Sequence, residues 1–434
     1  MRNKGRLLQI VLTVLASFWV GFYIGTKKIE VDWRDFSPYA VVSSKNPPSA
    51  ITNLDFSLFW DVWGRLENSF YDKRKIDYQK MLNGAIEGMV QSLGDPFTVY
   101  LPPTQNENFK QGLAGQFTGI GAELGTRNDQ IIVISPLDGS PAQKSGIKAG
   151  DAIVKVDQEL TANWSLSKAV EKIRGQKGTK VTLSVIHKDA TESEDITITR
   201  DVITTKSVSG WVKKIKYQSP IQSGTNIKNK IEIIDEDEKC DGCPKVAYIR
   251  ISQFGDDTNK EWVSLINSLA LQIQSDLSIK GLILDLRNNP GGYLTDAVFI
   301  ASEFLKQGDV VVKQEGSETT EDSSVTRQGL FLDIPLIVLI NKGSASASEI
   351  VAAAVGDSKR GILVGETSFG KGSIQQAHEL KNGGGVHITV AKWLTPKGTW
   401  VNGKGLKPDI EIELDEKAPE RDLQLEKAVE ELVK

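Results

Sequence analysis

The spacing of apolar residues along the chain changes character twice. From residue 51 to 93 apolar side chains recur at helical intervals, and Gly94-Asp95-Pro96 ends the second of two runs. This spacing predicts an N-terminal helical segment, which we bound at residues 51–103. Residues 104–200 show short β-rich runs around one helical run, Ser165 to Arg174. The runs predict strands over residues 130–134, 152–156, 180–186 and 195–199.

From Lys245 onward, continuous apolar runs alternate with helical patterns. The predicted strands are 246–251, 281–286, 334–340 and 361–365, and the predicted helices are 262–277, 294–305 and 346–355. Such alternation is typical of a sheet that is covered on both faces. The chain is therefore predicted to be a multidomain α/β protein, with a core over residues 201–415 and a C-terminal helix within residues 416–434.

The N-terminus carries an uncharged stretch, residues 7–24, directly behind three basic residues. Its length is about the minimum that spans a bilayer, and no clear small-residue cleavage site follows it. Residues 1–27 are therefore predicted to be a transmembrane anchor in preference to a cleaved signal, with residues 28–50 as a linker. Either alternative places the bulk of the chain outside the cytoplasm, in the periplasm or cell envelope.

Composition narrows the function classes. Apolar residues make up 39% and charged residues 25% of the chain, a globular balance that excludes wholesale disorder and a polytopic membrane protein. The net charge of −4 gives no global electrostatic case for nucleic-acid binding. With two Cys and three His, neither a multi-cysteine zinc array nor a poly-histidine site is expected. We predict no metal and no cofactor.

Candidate chemistry lies in glycine-rich stretches that follow predicted strands. Gly343 to Glu349 opens a helix, and its small side chains permit a sharp turn with free N–H groups that favour a negative charge. Ser346 is thus a candidate nucleophile, although helix capping explains this stretch alone better. The bare amides of Gly291-Gly292 could bind a ligand at a strand end, although a simple turn is the better interpretation of that pair alone.

A third stretch, Gly365 to Ser373, nearly matches a nucleotide-binding P-loop. It fails where Gly372 replaces the hydroxyl that would hold magnesium, and the residues that follow look more like a hairpin than a helix. If a strand begins at Lys371, then Lys371, Ser373 and Gln375 share one face. A neutral lysine could then serve as the base that a serine needs. Bringing the pKa of a lysine from about 10.4 to about 7 disfavours its charged form by some 4–5 kcal/mol.

Together these stretches resemble the C-terminal processing peptidases, also called tail-specific proteases, over about residues 51–414. Ser344 to Glu349 is similar to the nucleophile motif of that family, Thr367 to Gln375 to its lysine motif, and Leu286 to Gly292 to its oxyanion loop. The resemblance implies a core of the crotonase/Clp-like β-spiral type and a serine endopeptidase activity.

By that resemblance Ser346 is the nucleophile and Lys371 the general base. Gln375 would orient the lysine amine, and the amides of Gly292 and Ala347 would form the oxyanion hole.

Two acidic residues stand nearby in the sequence. Asp357 matches a family position that is often grouped with the serine and the lysine, and a structural role fits it equally. Glu349 is predicted to be structural.

Residues 104–200 resemble a PDZ domain, with the run from Ser165 to Arg174 as its groove helix. The residues of the carboxylate-binding loop are then Gly119, Ile120, Gly121 and Ala122. A peptide can add a strand to the sheet edge while loop amides hold its terminal carboxylate. The resemblance implies that this domain recognises apolar substrate tails and gates the active site.

Residues 220–244 form a charged insertion, in which Asp235 to Lys239 is predicted to be a solvated loop. The insertion also carries Cys240 and Cys243. Two cysteines alone cannot complete a structural zinc site. Outside the cytoplasm, a local disulfide or two free thiols are favoured over a metal.

The leading hypothesis is a membrane-anchored serine endopeptidase that uses a Ser-Lys dyad to cut proteins near their C-termini. Its partners would be protein or peptide tails and the membrane, with a homo-oligomer left open. One alternative is a non-catalytic PDZ scaffold with a degenerate protease core. Another is a P-loop nucleotide-binding protein.

Overall fold

The structure is a computed structural model with two compact units, residues 1–81 and 82–434. The residues that it describes are 13, 15, 17–19, 29–34, 37–42 and then 55–434 without 128–129, 138, 188–189, 219–229 and 414–420. Most of the predicted anchor, residues 1–27, lies outside this part. Within the described residues, no helix combines the length and the apolar character that crossing a membrane requires.

The first unit contains a hairpin and helices. Its elements are β1 (Ile29–Arg34), β2 (Ser37–Val42), α1 (Ser57–Ser69) and the start of α2 (Tyr78–Gln91). Both predicted helices are confirmed. The hairpin of β1 and β2 lies where the sequence predicted only a linker, and its antiparallel pairing fits the alternation of Ile29, Val31 and Trp33 with acidic residues.

The β-rich domain follows a short connection. The connection comprises β3 (Val99–Leu101) and α3 (Pro103–Leu113). The domain comprises β4 (Gln116–Gly119), β5 (Ala122–Arg127), β6 (Gln130–Pro136), α4 (Pro141–Lys144), β7 (Ala152–Val156), β8 (Glu159–Leu160), α5 (Leu166–Ile173), β9 (Lys180–Ile186), β10 (Glu194–Thr199) and β11 (Asp201–Thr204). Its main sheet has the order β10-β9-β7-β6-β5. All four predicted strands and the helix are confirmed, and Ser165 caps α5 by accepting a hydrogen bond from the amide of Lys168 at 3.2 Å.

The α/β core is a seven-stranded sheet with a second, smaller sheet beside it. Its elements are β12 (Val208–Gln218), β13 (Lys230–Ile234), β14 (Lys245–Ile251), α6 (Thr258–Ser275), β15 (Ile279–Asp285), α7 (Leu294–Ala301), β16 (Val310–Gly316), β17 (Thr320–Ser324), β18 (Leu336–Ile340), α8 (Ala347–Asp357), β19 (Ile362–Gly365), β20 (Ser373–Glu379), β21 (Gly385–Leu394), β22 (Ile410–Glu411) and α9 (Leu423–Val433). The large sheet has the order β13-β12-β14-β15-β18-β19-β22, parallel from β14 onward.

Apolar packing covers both faces of the large sheet. Helices α6, α7 and α8 bury one face in a cluster that includes Trp262, Ile300 and Val351. Helix α9 buries the other face through Ala428 and Val429. Because parallel strands are buried on both sides, their carboxyl ends present loops at one common edge.

The core contains two strands before the first one that the sequence predicts at residues 246–251. Strand β12 pairs antiparallel with both β13 and β14, so these residues extend the sheet by two strands. Asp235 to Lys239 is an exposed turn, as predicted. Cys240 and Cys243 form a disulfide, one of the two states that the sequence favoured for this pair.

The stretch around Lys371 leads into a strand. Strands β20 and β21 pair antiparallel over Ser373 to Glu379, in the small sheet of order β17-β16-β21-β20. A P-loop requires a helix at this point, because a helix N-terminus holds the phosphates. The nucleotide-binding alternative is therefore wrong, and the predicted hairpin is confirmed.

Candidate active site

Ser346 occupies a sharp turn between β18 and α8. Its backbone has a φ of +54°, which is uncommon for a residue other than glycine and costs on the order of 1–3 kcal/mol. A side chain at Gly291 would come within 2.7 Å of the Ser346 Cβ, so only glycine fits beside the turn. Ser346 stands at the N-cap position of α8, and it also lines a cavity. Strain of this kind is typical of functional positions.

Glu349 joins the two candidate catalytic segments. The carboxylate is fully buried, and its Oε2 accepts hydrogen bonds from the amides of Ser346 and Lys371, both at 2.9 Å. Its Oε1 accepts from the Ser368 hydroxyl at 2.5 Å and the Gly370 amide at 2.7 Å. One oxygen thus holds the backbones of residues 346 and 371 side by side. Glu349 is structural, as predicted, and it positions both segments.

Lys371 lies in an environment that favours the neutral amine. Burial lowers the pKa of Lys371 below its ordinary value, and the charge of Glu349 opposes this only in part. The amine lies over the ring of Phe97, 5.4 Å from its centroid. The backbone carbonyl of Lys371 accepts a hydrogen bond from the indole N–H of Trp393 at 2.7 Å. This bond fixes the backbone from which the lysine side chain extends.

In the predicted oxyanion loop, the amide of Gly291 is hydrogen-bonded within the loop and the amide of Gly292 is not. The Gly291 amide donates to Oδ1 of Asn289 at 2.8 Å, whereas the amides of Gly292 and Ala347 have no acceptor among the described residues. Gly292 adopts a φ of +139°, and a Cβ at this position would collide with the carbonyl of Phe254. The two unpaired amides are those that the sequence proposed for an oxyanion hole.

A cavity of about 470 Å³ collects these groups. The predicted site residues that line it are Gly292, Ser346, Lys371 and Gln375. The Gln375 amide nitrogen donates to the hydroxyls of Ser373 at 2.8 Å and Thr389 at 3.3 Å, so its predicted contact with the Lys371 amine is not formed here. A bulge at Gln375 shifts the register of β20 against β21, which simple strand alternation could not predict.

The grouping of Asp357 with the serine and the lysine is wrong in this structure. Asp357 ends α8, about 16 Å along the helix from Ser346 at 1.5 Å per residue. Its Oδ2 accepts from the Thr395 hydroxyl at 2.6 Å and the Lys397 amide at 2.9 Å, so it anchors the turn after β21. The sequence separation alone could not show that a straight helix carries Asp357 away from the cavity.

Asp357→Asn therefore serves as a test of this structural role. We expect kcat to stay within about twofold of wild type and the free energy of unfolding to fall by about 1 kcal/mol, because one acceptor is retained. Peptide cleavage and urea unfolding measure the two quantities. A large loss of kcat at unchanged stability would instead assign Asp357 to catalysis.

The predicted carboxylate-binding loop connects β4 and β5. Gly119 pairs with Asp201, and Ala122 pairs with Pro136. The carbonyls of Ile120 and Gly121 accept from the amides of Ala142 at 2.8 Å and Leu137 at 2.9 Å, while the N–H groups of Ile120 and Gly121 have no acceptor within the described residues. Donors that are free while the carbonyls are occupied are what an anion-binding loop requires.

His387 is a cavity residue to which the sequence assigned no role. It lies on β21, opposite Ala377 of β20, and lines the same cavity as Lys371. Burial, and secondarily the charge of Lys371, lower the pKa of His387. Only the register of the hairpin distinguishes it from His378, which is exposed.

A strained serine, a partly buried lysine and two unpaired amides in or beside one cavity define a serine hydrolase site in a chain that also carries a small β-rich domain. The model of Peptidase family S41 matches residues 245–412, and the PDZ domain model matches residues 110–186. The model described as Activating protease CtpB N-terminal domain matches residues 20–104.

Relatives with similar sequences support the same family. The chain is 34% identical to Carboxy-terminal processing protease CtpA of Bacillus subtilis (strain 168), covering 82% of this chain and 69% of the relative. It is 37% identical to a Probable CtpA-like serine protease of Staphylococcus aureus (strain bovine RF122 / ET3-1), covering 81% and 64%. The chain thus spans about two thirds of the length of these relatives.

Among solved structures, a Putative S41 protease from Bacteroides fragilis NCTC 9343 has a TM-score of 0.53 at 14% identity, covering 85% of this chain and 96% of the other, which supports the fold alone. The chain belongs to peptidase family S41 and is a serine-type peptidase with a PDZ domain. The resemblance to the C-terminal processing peptidases is confirmed.

Proposed function

We propose that this chain is an endopeptidase that cuts protein substrates near their C-termini, with Ser346 as nucleophile and Lys371 as general base. The observation that carries the assignment is the shared carboxylate oxygen of Glu349, which holds the backbones of both residues beside one cavity. The alternative of a non-catalytic scaffold has no support in the site, because nucleophile, base and unpaired amides are all present.

The chemistry follows from these groups. The neutral amine of Lys371 takes the proton of the Ser346 hydroxyl as the oxygen attacks the substrate carbonyl. The amides of Gly292 and Ala347 stabilise the negative oxygen of the tetrahedral intermediate. The Lys371 ammonium then donates its proton to the departing amine, which leaves an acyl-enzyme on Ser346. The same amine then takes a proton from water as the water oxygen attacks that ester, and the ammonium returns the proton to the Ser346 oxygen as the new carboxylic acid leaves.

The PDZ domain is proposed to select the substrate tail. The unpaired amides of Ile120 and Gly121 would hold the terminal carboxylate, and the groove beside α5 would take apolar side chains. Charge-assisted hydrogen bonds of this kind contribute about 1.5–3 kcal/mol each. Substrates that lack a free carboxylate should therefore be cut more slowly.

An extracytoplasmic location with a membrane anchor in residues 1–27 is also proposed. Its support is the uncharged stretch of residues 7–24 and the disulfide between Cys240 and Cys243, a bond that persists in oxidising compartments.

The test is mass spectrometry of matched peptides that have an apolar tail with either a free or an amidated C-terminus. We expect cleavage near the C-terminus and a kcat/KM that is about tenfold higher for the free acid, equivalent to about 1.4 kcal/mol. Ser346→Ala is the control and should cut neither peptide. Cleavage by this variant at the wild-type rate would overturn the serine mechanism, and equal cleavage of both peptides would overturn tail recognition.

A further inference from the structure

The cavity next to Ser346 extends along the hairpin of β20 and β21 to His387. There the wall is formed by Ala377, His387 and, from α3, Phe109. The Phe109 ring meets the His387 ring edge to face with centroids 4.5 Å apart, which fixes the plane of the imidazole. A volume of about 470 Å³ holds several substrate residues, so this region can accept a side chain other than the one at the cleaved bond.

The described lining of the cavity carries basic groups and no carboxylate. Its basic side chains are Lys371 and His387, and it includes no Asp or Glu. Glu349 lies beneath Lys371, where its oxygens are occupied by four donors. The walls are otherwise apolar or neutral, so a protonated His387 makes their field favour an anionic substrate group over a cationic one.

Charged groups on the neighbouring elements do not cancel this field. Lys110 of α3 and Glu379 of β20 pair with each other at 2.9 Å and are both exposed. Glu107 accepts a hydrogen bond from Gln111 at 3.0 Å on the exposed side of α3. On the third neighbour, β3, the residue opposite His387 is Val99. Lys371 is therefore the titratable group that His387 faces.

The imidazole is available to a ligand. Neither ring nitrogen of His387 has a hydrogen-bond partner among the residues that the structure describes, although the ring is half-buried. A neutral imidazole offers one donor and one acceptor, and a protonated one offers two donors. A polar ring without a partner in a largely apolar wall is the kind of group that fixes the orientation of a substrate.

We propose that His387 is a specificity-determining residue that contacts the substrate and favours an acidic side chain over its neutral or basic counterparts. This inference rests on the proposed function, since it names a substrate preference of the same site. Protonation of the imidazole strengthens the attraction, so the preference grows as the pH falls. Because burial and Lys371 lower the pKa of His387, the change is expected on the acidic side of neutrality.

The experiment compares kcat/KM for peptides that differ only by Glu, Gln or Lys, scanned over the positions around the cleaved bond. At one position we expect a Glu-to-Gln ratio of about two at pH 8 that rises to about five or more at the low pH at which the imidazole is protonated, with Lys the poorest. Protonation of Lys371 lowers kcat/KM equally for the Glu and Gln peptides. This general loss of activity therefore cancels in their ratio.

Three variants complete the test. His387→Gln should make the ratio independent of pH, and His387→Lys should keep it high at both pH values. His378→Gln, on the exposed side of the same hairpin, should behave like wild type. Equal ratios in wild type and His387→Gln at every position and pH would overturn the inference. If neutral peptides were not cleaved through Ser346 at all, the proposed function itself would fail.

Discussion

We expect Lys371→Met to lower kcat for peptide cleavage by about 10³-fold, within the range of about 10²–10⁴ that a general base supplies. Methionine keeps an unbranched apolar side chain in the pocket and removes only the amine, so the fold should persist. In the wild type, activity falls as the pH drops through the pKa of Lys371, because the ammonium cannot accept the serine proton. That pKa lies below its ordinary value because the side chain is partly removed from water.

The pH–rate profile of both enzymes measures this effect. The fall of the rate at low pH, which reflects protonation of Lys371, should disappear in Lys371→Met. Lys397→Met is the matched control, because its ammonium is largely exposed and lies 3.8 Å from Asp357, away from the cavity. A Lys371→Met enzyme that kept a tenth of the activity with an unchanged profile would remove Lys371 from the mechanism.

Glu349→Gln should impair both stability and catalysis. The new NH2 group would face two donors in place of an acceptor, and each unpaired buried donor costs about 1–3 kcal/mol. We expect the free energy of unfolding to fall by about 2–6 kcal/mol. We also expect kcat to fall about 10²-fold, since small displacements of reacting groups cost about that much.

Urea unfolding and cleavage by the folded fraction measure the two effects. Glu411→Gln is the control, because its carboxylate is more than half exposed and lies 4.0 Å from Lys407. Changes in Glu349→Gln as small as those of this control would show that the buried carboxylate does not position Ser346 and Lys371.

The spacing of apolar residues was sufficient to predict a strand or helix where most of its residues are buried. The strand from Ile279 to Asp285 and the helix from Ala347 to Asp357 each contain a continuous run of apolar residues and are buried over most of their length, so their patterns required no knowledge of neighbours. Strand β12 was missed because Lys213, Lys214 and Lys216 interrupt it. The buried residues between and before these lysines are Val208, Val212 and Ile215. Val208 and Val212 pack in the cluster under α6, and Ile215 packs in the cluster under α9, so their burial depends on helices distant in the sequence.

The candidate catalytic residues could be predicted from sequence motifs. The residues that position them could be identified only from the three-dimensional structure. Ser346 and Lys371 were proposed from glycine-rich stretches and a family resemblance. That Glu349 joins them depends on a turn with positive φ, and that Asp357 lies elsewhere depends on the helix axis. His387 enters the cavity through strand register, which sequence periodicity specifies poorly for two-sided hairpins.

The most direct measurement is covalent labelling with an organophosphonate, followed by intact and peptide mass spectrometry. The labelled group must be the hydroxyl that the base activates. We predict one adduct per chain, on Ser346, that forms more slowly as the pH falls and forms hardly at all in Lys371→Met. Labelling at another residue, or equally fast labelling of Ser346 without the Lys371 amine, would contradict a serine activated by lysine.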